Sequence, residues 1–331
     1  MEYILLLCFL ISFIVTLIVT YFWIKRANKS NLTARDMHKL DRKKIANFGG
    51  VAVVTGFLFG ILSYIAIQTF YFENQIKSLE IMAVLSTVLI IALIGLVDDI
   101  LGWKIGLRQW QKPLLTLFAA LPMIVINAGQ SIMIIPFLGR LDIGLLYPLF
   151  FVPIGIVGAA NGFNLLAGYN GLETKMGILI LVVMGILTWV VESYTASVMA
   201  FIMVFALIAF LHFNKYPAKV FPGNIFTYSV GAMIAVIAIV GNVERIALVL
   251  FIPYFLEFVL KLRGKFQKES FAKLLKDGSL DVPYEKFYGL EHVTIYFLKK
   301  IKKKIYENDV VNILVLFEFV IILLYIMAWL L

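Results

Sequence analysis

Charge is scarce in this chain: 15% of its 331 residues are Asp, Glu, Lys or Arg, against 62% hydrophobic. A soluble domain of this length carries roughly a quarter charged residues, so a mean hydropathy of +0.96 excludes that class. Cysteine is nearly absent. Cys8 stands alone, so neither an internal disulfide nor a cysteine metal cluster can form, and within an apolar run it is expected as lipid-facing or as core filler. A basic segment ahead of the first apolar run is also missing, since Glu2 follows Met1, and a cleaved signal peptide is not expected. Neither a solenoid-type repeat nor a low-complexity linker divides the chain, so residues 1–331 are expected as one polytopic domain.

What the chain has instead is long apolar runs. A helix needs roughly 20 apolar residues to cross about 30 Å of hydrocarbon. On that measure we expect an all-α integral membrane protein of ten transmembrane helices: 3–24, 49–70, 80–98, 112–127, 144–162, 176–192, 196–213, 225–241, 244–261 and 310–331. Pro148 and Pro153 in the fifth and Pro253 in the ninth predict kinks, because proline removes a backbone donor. With the N-terminus outside, 26 of the 29 Lys and Arg residues fall in inner loops, leaving Lys77, Arg140 and Arg245 outside. The positive-inside tendency then puts both termini outside and the polar loops on the cytoplasmic face. The net charge of +9 is mostly this topological signal, with a secondary attraction for anionic lipids or phosphorylated substrates; nucleic acid is not implied.

The longest inner loop, 261–309, carries a hairpin signal at Asp277-Gly278. Further on, Ile295, Leu298, Ile301 and Ile305 recur at helical spacing against lysines, which predicts an interfacial amphipathic helix within Tyr288–Ile305. His38 and His292 lie in inner loops and, taken singly, read as surface histidines.

Against this background Asp98 and Asp99, at the end of an apolar run, are costly and therefore a candidate site. Neighbours on a helix point about 100° apart, so the two carboxylates are expected to play different roles. Between the fifth and sixth spans, 160–173 holds Asn161, Asn164 and Asn170 with Gly162, Gly168 and Gly171. Buried amides can orient a nucleotide base or offer a carbonyl to a hard cation, and glycine permits close approach of a planar ring. The same residues would also serve as interhelical ties and a plain turn. Phe221, in a basic loop between the seventh and eighth spans, offers a stacking surface, and Lys112 at an inner helix end could balance phosphate charge or simply mark topology.

Taken in order, Asp98-Asp99-Ile100-Leu101, Gly106 to Leu115 with Gln111-Lys112, Asn161 to Glu173, and Tyr216-Pro217 through Val220-Phe221 to Gly223 resemble the polyprenyl-phosphate N-acetylhexosamine-1-phosphate transferase superfamily. That superfamily includes MraY, WecA and the dolichyl-phosphate GlcNAc-1-phosphate transferases. The Asn161 to Glu173 run, Tyr216-Pro217 and Leu141-Asp142-Ile143-Gly144 are most similar to the dolichyl type, while a lone His292 in the last inner loop argues against a muramoyl-pentapeptide substrate. The resemblance implies transfer of GlcNAc-1-phosphate, or a related N-acetylhexosamine-1-phosphate, from a UDP sugar to a polyprenyl or dolichyl phosphate. The products would be UMP and a lipid pyrophosphoryl sugar, the first step of lipid-linked oligosaccharide synthesis for protein glycosylation.

It implies Asp98, Asp99 and Lys112 as catalytic, and Asn161, Asn164, Gly168, Asn170, Phe221, Arg263 and His292 as substrate-binding. Mg²⁺, or Mn²⁺ in its place, would be held by Asp99, Asn164 and Asn224. At Asn224 the family pattern has aspartate; the asparagine carbonyl still coordinates but brings no charge. The partners so implied are the UDP-N-acetylhexosamine, the lipid phosphate, membrane lipids and a second copy in a homodimer. The location so expected is a prokaryotic cell membrane rather than the endoplasmic reticulum. The competing class is a transporter whose acids and amides line a path, for which Glu257 is the one acid noted near the middle of a helix.

Overall fold

The computed structural model describes residues 3–73, 78–135 and 139–330. Lys77, counted above in an outer loop, lies outside them. The order of elements is α1 (Leu6–Lys29), preceded by a 3₁₀ turn at Tyr3–Leu5, then β1 (Thr33–Arg35), β2 (Lys44–Ala46), α2 (Gly50–Phe70) and α3 (Ser78–Ile105). It continues with α4 (Gln111–Leu117), α5 (Leu121–Val125), β3 (Ile132–Ile135), β4 (Gly139–Asp142), α6 (Val152–Leu165), α7 (Leu172–Val190) and α8 (Tyr194–Asn214). The last third holds α9 (Asn224–Gly241), α10 (Glu244–Leu250), α11 (Ile252–Arg263), β5 (Lys273–Leu274), β6 (Leu280–Asp281), α12 (Leu290–Lys299) and α13 (Glu307–Leu330). The strands form three two-stranded antiparallel hairpins in the connections.

Among the described residues, eight helices are long and apolar enough to cross a membrane: α1, α2, α3 as far as Gly102, α6 with the turn before it, α7, α8, α9 and α13. Where the other two spans are expected, the helices are broken. Residues 112–127 become α4, a 3₁₀ turn at Phe118–Ala120, and α5, which has Pro122 in its first turn. Residues 244–261 become α10 and α11, separated at Phe251 with Pro253 in the first turn of α11. Both breaks follow from the missing proline N–H. A π-helical turn at Tyr147–Phe151, containing Pro148, likewise runs into α6.

The helix α9 is the hub, with nearly every residue buried. Neighbouring backbones approach it at small residues: a Cβ on Gly95 of α3 would stand 2.7 Å from Ile225 Cα, inside the van der Waals distance. Such contacts suit a membrane bundle, where close packing rather than exclusion of water holds helices together. Cys8 is fully buried against this core, so the filler reading holds and the lipid-facing one does not.

In the long loop 261–309 the hairpin forms as β5 and β6, with Gly278 at φ +81°. The amphipathic segment differs from expectation. Only Leu290–Lys299 is helical, and Ile295 and Ile305 pack inside the protein while Ile301 is exposed. The loop folds onto α13, and Leu280 donates its N–H to the Ile305 carbonyl at 2.7 Å. Neither histidine sits on the surface: His38 is 5% exposed and His292 wholly buried. A second buried acid stands beside Glu257 in this respect, for Glu318 lies midway along α13, buried and without a hydrogen-bond partner.

Candidate active site

The N-terminus of α9 brings the sequence motifs together. Residues 215–223 lead into it, and the segment 46–50 runs beside them: Phe221 donates its N–H to the Ala46 carbonyl (2.8 Å), while Gly49 and Gly50 donate to the carbonyls of Phe221 (2.9 Å) and Pro222 (2.8 Å). Gly223 then turns the chain at φ +75°, and a Cβ there would lie 2.6 Å from Asp99 Oδ2. Only glycine meets both requirements, the left-handed backbone and the close carboxylate.

The two aspartates do diverge. Asp99 takes the open end of α9, its Oδ1 accepting the Asn224 N–H at 2.8 Å and its Oδ2 the Ile225 N–H at 3.0 Å. These amides have no partner within the helix, and a carboxylate there also meets the positive end of the helix dipole. Asp98 faces the other way. Its Oδ1 accepts the Leu107 N–H at 2.8 Å, which pins the turn following α3 beyond the non-helical Gly102. Its Oδ2 lies 2.8 Å from Lys112 Nζ, accepts the Asn224 side-chain amide at 2.9 Å, and has the Tyr228 hydroxyl at 3.5 Å. Both aspartates are buried, and Lys112 supplies positive charge to this pair through Asp98.

One turn along α9, Thr227 donates its hydroxyl to Asn164 Oδ1 at 2.7 Å, which sets Asn164 of α6 beside the aspartate cluster. Asn161 points elsewhere: its Nδ2 donates to Thr116 Oγ1 of α4 and to the Val157 carbonyl, both at 2.9 Å, so its amide ties helices together. Gly168 has φ +106°, donates its N–H to the buried Glu173 carboxylate at 2.8 Å, and faces the ring of Phe271. Gly171, at φ +80°, begins α7 and completes the turn that Asn170-Gly171 signals. Phe221 is half-buried in the loop that enters α9.

Among the described residues, no hydrogen bond or ion pair joins the two residues taken from the final loop to this cluster. Arg263 is exposed at the C-terminal end of α11. His292 is enclosed in α12, where its Nδ1 accepts the Tyr288 N–H at 3.4 Å and its Nε2 has no partner. Burial pushes its imidazole down to about 4, with Lys261 adding to the effect, so it is neutral at physiological pH.

Residues 81–242, which contain Asp98, Asp99, Lys112, Asn164, Phe221 and Asn224, match the family described as Glycosyl transferase family 4. A Saccharolobus solfataricus protein that carries the name UDP-N-acetylglucosamine–dolichyl-phosphate N-acetylglucosaminephosphotransferase is 39% identical over 293 residues, covering 88% of this chain and 87% of that protein. The chain belongs to glycosyl transferase family 4. The family 4 relatives also include a protein of the same name from Sulfolobus acidocaldarius, 35% identical over 83% of each chain. A phospho-N-acetylmuramoyl-pentapeptide-transferase of Streptococcus pyogenes is 31% identical over 75% of this chain and 76% of its own. Within glycosyl transferase family 4 the resemblance is therefore higher to the dolichyl type than to the muramoyl type.

Several groups in this family 4 site have no signature in the sequence read linearly. Tyr228 and Thr227 lie on α9 at the spacing of one turn after Asn224, so a helical projection of that segment would have found them. Asp36, His38 and Glu307 close around Asn170 from distant parts of the chain, and no local pattern announces them.

Proposed function

We propose that this protein transfers GlcNAc-1-phosphate from UDP-GlcNAc to a polyprenyl or dolichyl phosphate at the cytoplasmic face of a prokaryotic membrane. The observation that carries the reading is the gathering of Asp98, Asp99, Lys112 and Asn224 at the N-terminus of α9, in a chain 39% identical to a dolichyl-phosphate GlcNAc-phosphotransferase. The charge bias of the loops supports ten spans with both termini outside, the two broken helices counting as spans. The polar side chains of this cluster gather at one end of α9 rather than along its length, unlike the lining of a transport path.

The donor set fits a hard divalent cation. Because Asn224 spends its Nδ2 on Asp98, its carbonyl oxygen is turned away and stays free, and Asp99 and Asn164 each keep an unused oxygen lone pair. Asp99, Asn224 and Asn164 would hold Mg²⁺ or Mn²⁺. When bound, the ion supplies charge neutralisation on the pyrophosphate.

In the reaction a lipid phosphate oxygen attacks the β-phosphorus in line, forming the new P–O bond as the bond to the α-phosphate oxygen breaks and UMP departs. The nucleophile is already an anion near neutral pH, so no strong general base is needed. The chain's task is positioning and electrostatic stabilisation. Lys112 brings its ammonium to the carboxylate edge where phosphate oxygens would crowd, and Asp98 holds that ammonium and the Asn224 amide in place. Asp99 fixes the start of α9, whose dipole favours the same anions.

Purified protein given a panel of UDP sugars and polyprenyl phosphate is expected to yield a lipid pyrophosphoryl GlcNAc by mass spectrometry. A lipid product formed only from other UDP sugars would refute the assignment. Asn224→Asp is expected to lower the Mg²⁺ concentration for half-maximal rate several-fold, since a carboxylate binds the ion more tightly than an amide carbonyl. It also replaces the donor facing Asp98 with an acceptor, so the variant should melt at a lower temperature without the ion and recover when it is added. An unchanged Mg²⁺ dependence would place position 224 away from the metal.

A further inference from the structure

Among the described residues, the buried side-chain atoms that lack a hydrogen bond belong mostly to Glu173 at the start of α7, Glu257 of α11, and Glu291 and His292 of α12. Two of these face each other. A Cβ at Gly289, just ahead of α12, would press on Glu291 Oε2 and stand 3.2 and 3.5 Å from the two oxygens of Glu257, so both carboxyls converge on one point. Both are wholly buried. Glu257 has support: its Oε2 accepts the Leu290 N–H at 2.6 Å, and Lys261 Nζ lies 3.4 Å from its Oε1, which has no hydrogen bond. Glu291 has no hydrogen bond at either oxygen.

Two ionised carboxylates so placed would repel, and a buried one without a donor would bear its desolvation cost uncompensated. Lys261 brings one positive charge, enough for one of the two. The other titratable groups near the pair do not add to it: Glu173 of α7 is an acid, Tyr169 is a neutral phenol, and His292 is neutral at physiological pH. Burial, with Glu257 adding to it, holds the Glu291 carboxyl well above the usual carboxylate range. A proton on Glu291 resolves the arrangement. Its hydroxyl then becomes a donor, and Glu257 Oε1 is the acceptor that stands open.

The stretch between α11 and α12 backs the turn from α6 to α7. Lys261 donates to Ser270 Oγ, Ala272 donates its N–H to His38 Nε2 at 3.2 Å, the Tyr169 hydroxyl donates to the Ser270 carbonyl at 3.3 Å, and the Phe271 ring lies against Gly168. We infer that Glu257 and Glu291 share one proton, and that they are positioning residues which close α12 onto α11 and so keep residues 270–272 against that turn. The effect on turnover rests on the proposed reaction; the shared proton rests on the geometry alone.

The proton is read by infrared spectroscopy of the purified protein, because a carboxylic acid shows a C=O band that a carboxylate lacks. The spectrum of the unaltered protein minus that of Glu291→Gln at neutral pH should contain one such band. Glu257→Gln should lose the same band, since Glu291 then ionises beside Lys261. Glutamine at 291 keeps an N–H donor for Glu257, so that variant is expected to fold; if it does not, Glu257→Gln gives the same reading. No band lost, or a separate band lost in each variant, overturns the sharing. Positioning is read in the pH profile. A carboxyl held neutral by folding contributes fully below the ordinary glutamate value, and the contribution is lost as pH rises through its value in the folded protein. KM for UDP-GlcNAc should therefore rise several-fold from about pH 6 to about pH 9 in the unaltered protein and stay flat in Glu291→Gln, with kcat following one curve in both. The same KM profile in both overturns the positioning role. Failure of the underlying reading looks different: the band is lost as expected, yet no UMP forms from UDP-GlcNAc at all.

Discussion

Asp99→Asn will lower UMP release from UDP-GlcNAc by on the order of 10³-fold, the scale on which loss of one fixed electrostatic group acts in group transfer. The variant keeps the shape of the side chain and one carboxyl-derived oxygen. What it loses is a negative charge at the start of α9 and one of two acceptors: its new NH₂ would face either the Asn224 or the Ile225 N–H, donor against donor. An unsatisfied amide of this kind costs about 1–3 kcal/mol, and loss of the charge at the helix end a further ~0.3–1 kcal/mol. A bundle with α9 so deeply buried is expected to survive that cost. The protein should therefore remain monodisperse in detergent and melt somewhat earlier while turnover collapses. Turnover within a few-fold of the unaltered enzyme would remove Asp99 from the chemistry and leave it as a helix cap.

Lys112→Met will have the second largest effect, a loss of about 10²-fold or more. The ammonium lies 2.8 Å from Asp98 Oδ2, and methionine keeps most of the apolar stem while removing the charge. Deleting one partner of a fully buried ion pair costs about 3–5 kcal/mol because the other charge stays behind. The Lys112 side chain is 18% exposed, so water screens part of that and about 1–3 kcal/mol is the better expectation. Asp98 still accepts from the Leu107 N–H and the Asn224 amide, which keeps it in place. Lys112→Arg should restore stability more fully than turnover, since a planar guanidinium presents its charge in a different geometry. Full activity in Lys112→Met would show that the lysine only marks topology.

The site was legible in the sequence where a residue type was out of place. Two adjacent carboxylates at the end of an apolar run are explained poorly by anything except a polar site, and their divergence follows from the helix angle alone. Gly168 and Gly171, read as close-approach and turn positions, do have positive φ. What stayed hidden depends on long-range assembly. Asn170 meets Asp36 and Glu307 across 134 and 137 residues, and a single histidine in a polar loop gives no sign that the loop will close over it. His292 is enclosed for the same reason: the loop 261–309 folds on itself and onto α13. The helices were legible by their apolar length, and the breaks at Pro148 and Pro253 by the missing donor. Pro122 carried the same signal in the fourth span and splits it in the same way.

The central claim is that the groups at the start of α9 move a sugar together with its phosphate. UDP-GlcNAc labelled with ³²P at the β-phosphate, incubated with the purified protein, Mg²⁺ and polyprenyl phosphate, tests this directly. The account predicts that the label passes into an organic-extractable lipid in step with unlabelled UMP, and that neither product forms with Asp99→Asn. Release of labelled UDP, with sugar but no label in the lipid, would contradict it.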